Sequence, residues 1–293
     1  MSQLKFAVTM ASAVATAPAR LSCVAAGAIL SGAIISGLAF AGSASATDLG
    51  GLIPAGTTVT LGAQAIIQPK YEGGKDYEVT AAPIIKFTGM NPFASFLKVD
   101  ARNINDIGLG WLNVGGFSAG PALGYRFDRE EDDGRLLRGL GDVDGGLLVG
   151  GFARYDFKPA YVRVSYLTQV TGEEDAGGIF RIQGGADVMA TPQLLLKGFA
   201  AVEFGDEDYM QTYFGVTAAQ ATRSGLARFT PEAGAKSFHL GLTAEYEFAP
   251  TLTLIAGAEY VGLLDDAADS PVVEEENYVI GRIGLSKRFT IGR

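Results

Sequence analysis

Ser237 and His239, the latter the only histidine of the chain, stand two residues apart in a segment that alternates apolar and polar residues. A serine beside a histidine is the start of a nucleophile and its base, but acyl transfer also needs an orienting acid and donors for the oxyanion. Two residues along a strand span about 6.5–7 Å, beyond direct hydrogen-bond reach. The pair is therefore read as non-catalytic, and no enzymatic activity is expected. A larger group consists of Arg126, Arg154, Arg163, Arg181, Asp187, Lys197, Glu203, Glu245, Glu247, Glu259 and Arg282, joined by Glu78, Lys86 and Asp156. These lie on the polar side of alternating segments, where they would line a lumen. Charges in such a place either pair into a lattice or select what passes. The mixture of signs favours the lattice.

Other chemistry is sparse. The acidic runs 128–133 and 265–276 offer hard oxygen ligands for divalent cations that bridge lipopolysaccharide, or they are solvated loops. The chain has no EF-hand spacing, no phosphate-cradling glycine loop and no cluster of metal-ligating histidines. No cofactor and no metal site is expected. The aromatic stretch 208–216, DYMQTYFGV, lies inside a long connection, where it would fold inward as a plug, present a surface to a partner, or pack on its own loop.

The elements that must carry these residues are strands. In the segment 237–248, Phe238, Leu240, Leu242, Ala244, Tyr246 and Phe248 fall on one face, and His239, Gly241, Thr243, Glu245 and Glu247 on the other. The same two-residue period predicts strands over 58–68, 77–87, 93–102, 104–112, 117–127, 147–157, 162–170, 180–188, 194–205, 251–264 and 278–289. Alternation is poorest in the third and fourth. Pro83 and Pro121 fall inside strands and cannot donate to a ladder, so each is expected to mark a bulge or a locally unpaired position.

The first 46 residues read as a secretory signal peptide. Lys5 and Arg20 supply positive charge, 21–40 is apolar, and Ala44-Ser45-Ala46 offers a cleavage site after Ala46. Of the 293 residues, 247 then remain as one domain, 47–293, without cysteine, since Cys23 lies in the leader. That leaves 21 basic against 32 acidic residues, a balance of −11, which argues against nucleic acid as a partner. No later run is long and apolar enough for a spanning helix, so membrane entry would require a closed barrel.

The connections alternate in length. Those near 88–92, 113–116, 158–159, 191–193 and 249–250 are short, whereas 128–145, 206–236 and 265–276 are long and polar. Short periplasmic turns and long external loops describe an all-β transmembrane antiparallel barrel of about twelve strands, with ten as the alternative. Aromatic residues near strand ends, among them Tyr125, Phe127, Tyr155, Phe157, Tyr246 and Phe248, sit where interfacial girdles belong. A soluble sandwich of the same strands would explain neither the girdles nor the loop asymmetry. The location expected is the bacterial outer membrane, with its lipid and lipopolysaccharide as surroundings.

Four stretches carry a resemblance: PKYEGGKDYEVTAAPIIKF (69–87), GPALGYRF through RGLGDVD (120–144), DYMQTYFGVTAAQATRSGL (208–226) and LLDDAADSPVV (263–273). In this order they resemble the MipA/OmpV outer-membrane proteins, named for an MltA-interacting protein of the cell-wall machinery. The resemblance implies an integral outer-membrane barrel. For the namesake it implies a non-enzymatic scaffold of the cell envelope that holds a lytic transglycosylase, a murein hydrolase, next to a murein synthase. Other members look like adhesins or antigens. A passive diffusion channel or a surface adhesin is the alternative expectation for function.

Overall fold

Alternating apolar and polar residues build one large antiparallel sheet. The computed structural model describes residues 58–88, 107–108, 112–173 and 176–290. Its strands are β1 (Thr58–Pro69), β2 (Tyr77–Thr88), β3 (Ile107–Gly108), β4 (Leu112–Val114), β5 (Phe117–Arg126), β6 (Gly146–Phe157), β7 (Ala160–Gln169), β8 (Gly178–Thr191), β9 (Leu194–Gly205), β10 (Gly234–Ala249), β11 (Leu252–Leu263) and β12 (Asn277–Thr290). The leader, its cleavage site and the strand expected over 93–102 lie outside the described residues.

Sheet order is β2-β1-β12-β11-β10-β9-β8-β7-β6-β5-β3, with β4 also on β5. The first and last strands are therefore neighbours, paired from Thr58 opposite Thr290 to Ile67 opposite Gly281. This seam joins the first and last strands of the meander, as in a barrel, and among the described residues the sheet path ends at β2 and β3. β3 and β4 follow one another along the same edge of β5, so the described strands fill eleven positions of the sheet.

The two prolines behave differently. On the β3/β4 side of β5, pairing slips by one residue between Ala122 and Ala119, the interval that contains Pro121. Pro83, by contrast, stands opposite Ala63 in an unbroken β1–β2 register, so the bulge expected there is absent from that pair. In an antiparallel ladder alternate N–H groups point to opposite neighbours, and a proline fits where its nitrogen faces away from the paired strand.

The period of two separates two environments. Along β10, Leu240, Leu242, Tyr246 and Phe248 are 52, 59, 47 and 50 % exposed, whereas Ser237 and His239 are buried. The same outward exposure recurs at Tyr125, Phe127, Tyr155, Phe157, Leu254, Tyr260, Ile283 and Leu285. An apolar exterior around a charged interior is the pattern of a barrel in lipid. No helix among the described residues is long and apolar enough to cross a membrane.

The main core is built by the loops at one end. Tyr71, Leu137, Leu140, Tyr209, Met210, Phe214, Val216, Val261, Leu263, Ala267, Val272 and Tyr278 form one buried cluster. They come from the β1–β2, β5–β6, β9–β10 and β11–β12 connections and the strand ends beneath them. At the other end, β6 joins β7 through Lys158-Pro159, and β8 joins β9 through Pro192-Gln193.

A loop cap over a buried charge cluster

The β9–β10 connection folds into two helices, α1 (Glu207–Phe214) and α2 (Ala218–Ser224). Asp206 starts α1: its carboxylate accepts from Tyr209 N at 2.9 Å, from Gly178 N at 2.8 Å and from the Tyr166 hydroxyl at 3.0 Å. One side chain thus caps the helix and ties it to β7 and β8. A capping box of Thr217 and Gln220 starts α2. Gln220 Nε2 then donates to Leu140 O at 2.8 Å and Arg223 Nε to Gly139 O at 2.9 Å, docking α2 on the β5–β6 loop.

Beneath this dock α1 turns Tyr209, Met210 and Phe214 inward, at 4, 1 and 0 % exposure. Each such burial stabilises the cap by about 1.5–3 kcal/mol. The Ser270 hydroxyl donates to Phe214 O at 2.6 Å, which adds the β11–β12 loop and its short helix α3 (Asp265–Ala268). The Tyr71 hydroxyl lies 3.2 Å from Val272 O, which adds the β1–β2 turn. The stretch 208–216 turns Tyr209, Met210 and Phe214 into the buried cluster, and it packs both on its own connection, where Val216 bridges Phe229, and on neighbouring loops.

The acidic run 128–133 holds its own loop. Asp128 accepts from Gly145 N, Asp133 from Glu130 N and Glu131 from Gly139 N, at 2.6, 2.8 and 3.0 Å. In the second acidic run Glu274 accepts from Lys75 Nζ at 2.6 Å. This donation, opposed by partial desolvation, holds the Glu274 carboxyl below its ordinary value.

Under the cap lies a cluster of charges centred on Lys236. β10 carries an extra residue relative to β9 between Ala235 and Ser237. That bulge interrupts the alternation and leaves two consecutive residues, Lys236 and Ser237, buried. The Lys236 ammonium bridges Glu72 at 2.6 Å and Glu203 at 2.8 Å. Glu203 also meets Arg181 at 2.5 Å, and Glu259 meets Arg282 at 3.1 Å. Sequence reasoning missed Lys236 and Glu72: strict alternation puts Lys236 on the lipid side, and Glu72 sits in a turn.

The other charges of the proposed lumen lining are distributed along the strands. Lys197 pairs with Glu245 and Arg154 with Asp156 at 2.7 Å, while Glu247 meets Arg288 at 2.7 Å on an exposed site. Asp187 faces Lys197 in the β8–β9 register. Arg163 lies 5.0 Å from the Phe152 ring centre, and Arg126 reaches up to the cap, 4.7 Å from that of Tyr209. The side chain of Lys86 lies outside the described residues.

Ser237 and His239 depart from expectation. Ser237 Oγ lies 3.0 Å from His239 Nε2, within the reach that backbone spacing denied, because the two side chains converge over the strand. An acid is also present: Glu259 Oε1 lies 2.8 Å from His239 Nδ1. Glu259 stands opposite Gly241, which has no side chain, and its carboxylate reaches diagonally to the imidazole. A second carboxylate, Glu203 Oε2, lies 3.4 Å from Nε2. Each ring nitrogen therefore faces a carboxylate acceptor, and a neutral imidazole can donate to only one of them. When Nε2 donates to Glu203 it cannot take a proton from Ser237, so the geometry of a relay coexists with a competitor for its base. Ser237 is also fully buried.

An apolar outer face, a charged inner face and a mouth filled by the chain's own loops define a capped transmembrane barrel. The chain belongs to the family described as MltA-interacting protein MipA, whose model matches residues 61–289. It is an outer membrane barrel protein of that family. The YiaT protein of Escherichia coli K12, named as an outer membrane protein, is 30% identical over 101 residues, which are 34% of this chain and 41% of that protein. The MltA-interacting protein of the same organism is 30% identical over 88 residues, 30% of this chain and 35% of that protein. The aligned stretches thus span less than half of either relative. Among solved structures, the NanC porin aligns with 79% of this chain and 98% of its own, at 8% identity and a TM-score of 0.38. The COG4313 outer membrane channel from Pseudomonas putida F1 aligns with 81% of this chain and 97% of its own, at 10% identity and a TM-score of 0.39.

Proposed function

We propose that this barrel is a non-enzymatic scaffold of the cell envelope, seated in the outer membrane, that brings a murein hydrolase of the lytic transglycosylase type together with a murein synthase. The supporting observation is the seating of α1 in the mouth, where Tyr209, Met210 and Phe214 are buried. A mouth occupied by packed side chains suits a protein that presents surfaces better than one that passes solutes. Family membership and the printed name of the MltA-interacting relative supply the class of partner.

Crosslinking in intact cells, followed by purification of the tagged barrel in detergent, tests this reading. Recovery of a murein hydrolase or synthase is the expected result. Recovery of lipopolysaccharide and assembly machinery alone, together with steady conductance of the intact protein in planar bilayers, would replace the scaffold with a channel.

A further inference from the structure

The chain has a single histidine, and the fold sets it, buried, between Glu203 of β9 and Glu259 of β11. His239 Nδ1 lies 2.8 Å from Glu259 Oε1, while Nε2 lies 3.4 Å from Glu203 Oε2 and 3.0 Å from Ser237 Oγ. A neutral ring carries one N–H. With that proton on Nδ1, the bare Nε2 accepts from Ser237 and turns a lone pair toward Glu203, acceptor against acceptor. With the proton on Nε2, the same conflict arises at Glu259. The imidazolium donates from both nitrogens and so ties three adjacent strands together at one point. Cations stand on the same carboxylates: Arg181 of β8 and Lys236 of β10 on Glu203, and Arg282 of β12 on Glu259. The charge on the ring is therefore balanced between attraction by two glutamates and repulsion by the cations that share them.

From this point a line of contacts runs up to the cap. Glu203 shares the Lys236 ammonium with Glu72, and Glu72 accepts from the Tyr209 hydroxyl of α1. With the ring charged, Glu203 is served by His239 together with Lys236 and Arg181. With the ring neutral and its N–H on Glu259, the shorter contact, Glu203 draws more heavily on Lys236 at the expense of Glu72 and of the helix that Glu72 holds. We propose that His239 is a proton-operated latch beneath the cap: charged, it locks the cluster under α1, and neutral, it loosens α1 in the mouth. The latch is closed in acid and opens as pH rises through the range in which histidine titrates. Glutamate, lysine, tyrosine and arginine, the other titratable types in this cluster, have ordinary values outside that range.

A lone histidine makes the test direct. The barrel, purified in detergent through a tag that contains no histidine and labelled with isotopic histidine, gives the ring-nitrogen signals of one residue, followed by NMR from about pH 5 to about pH 9. Both nitrogens should be protonated at the acid end. Hydrogen-exchange protection in α1, for example at Met210 N, bonded to Asp206 O at 2.9 Å, is corrected for the intrinsic rate at each pH. It should fall roughly tenfold as the ring becomes neutral, the scale of one charge-assisted contact. In His239→Gln, protection should no longer change over this range. Should that variant fail to fold, as judged by unchanged gel migration on heating, Glu203→Gln spares the ring and should move the fall in protection to lower pH. A ring that keeps one state throughout, protection in α1 that does not follow the ring, or a fall that persists undiminished in His239→Gln would overturn the latch.

Discussion

The Tyr209 hydroxyl donates to the Glu72 carboxylate at 3.0 Å, joining residues 137 positions apart. Glu72 accepts at the same time from Lys236 at 2.6 Å. Burial and the Glu72 charge push the Tyr209 hydroxyl far above its ordinary value, so it stays protonated and remains a donor. This contact links the helix in the mouth to the charged cluster below it.

Cutting that link loosens the cap before the barrel. Tyr209→Ala removes a buried aromatic ring, a loss of about 3–5 kcal/mol for a well-packed site. The expected result is rapid protease cleavage within 206–233 while the shift in gel migration on heating persists. Equal resistance of variant and parent would show that α1 is held by other contacts.

Lys236→Met leaves Glu72 and Glu203 without their shared ammonium. Breaking a buried ion pair by removing one partner costs about 3–5 kcal/mol. The urea midpoint should fall accordingly, and adding Glu72→Gln should recover part of the loss. Recovery is the informative outcome, because simple loss of packing would not produce it.

Shortening the connection tests what the cap closes. Replacement of 207–229 by a short Gly-Ser link removes both helices, and the shortened barrel should conduct ions in planar bilayers where the intact one does not. If the shortened barrel remained silent, the charges beneath the cap would themselves be the barrier.

Ser237 and His239 can be interrogated with a fluorophosphonate probe. No labelling of the intact protein is expected, because Ser237 is sealed and Glu203 competes for Nε2. Labelling that disappears in both Ser237→Ala and His239→Ala would make the protein a hydrolase.

Acid should release the turn that Glu274 secures. Its folded-state pKa is depressed by Lys75, so the stabilisation is complete above the ordinary glutamate value of about 4.3 and is lost as pH falls through the lower folded value. Because Lys75 is half exposed, the effect is under about 1 kcal/mol. The hydrogen-exchange protection factors of Glu274 and Glu275, whose amides bond to Gly73 O at 2.7 and 2.9 Å, should fall in acid once the intrinsic exchange rate is corrected for pH. In Lys75→Met they should be lowered a few-fold already at neutral pH.

The strands were the legible part of the sequence. The segment 147–157 emerges as Gly146–Phe157, and 237–248 as Gly234–Ala249, because lipid on one side and charge on the other write the period of two into the residues. The cap was less legible, since its core joins four connections that only the folded sheet brings together. Local signals for α1 and α2 did exist in Asp206 and in the Thr217 and Gln220 spacing. Glu259 was placed on the polar face, but its meeting with His239 depends on the β10–β11 register and on Gly241 opposite, which no single segment displays.

The seam between β1 and β12 carries a consequence in time. Thr58 waits for Thr290, which the ribosome adds more than two hundred residues later. Until then the earliest strand has only one of its two neighbours, and its other row of amides and carbonyls is open to any strand nearby. Pairing across this seam joins residues far apart in the chain, the kind of contact that forms slowly. The newborn polypeptide must be shielded from its own kind throughout its journey.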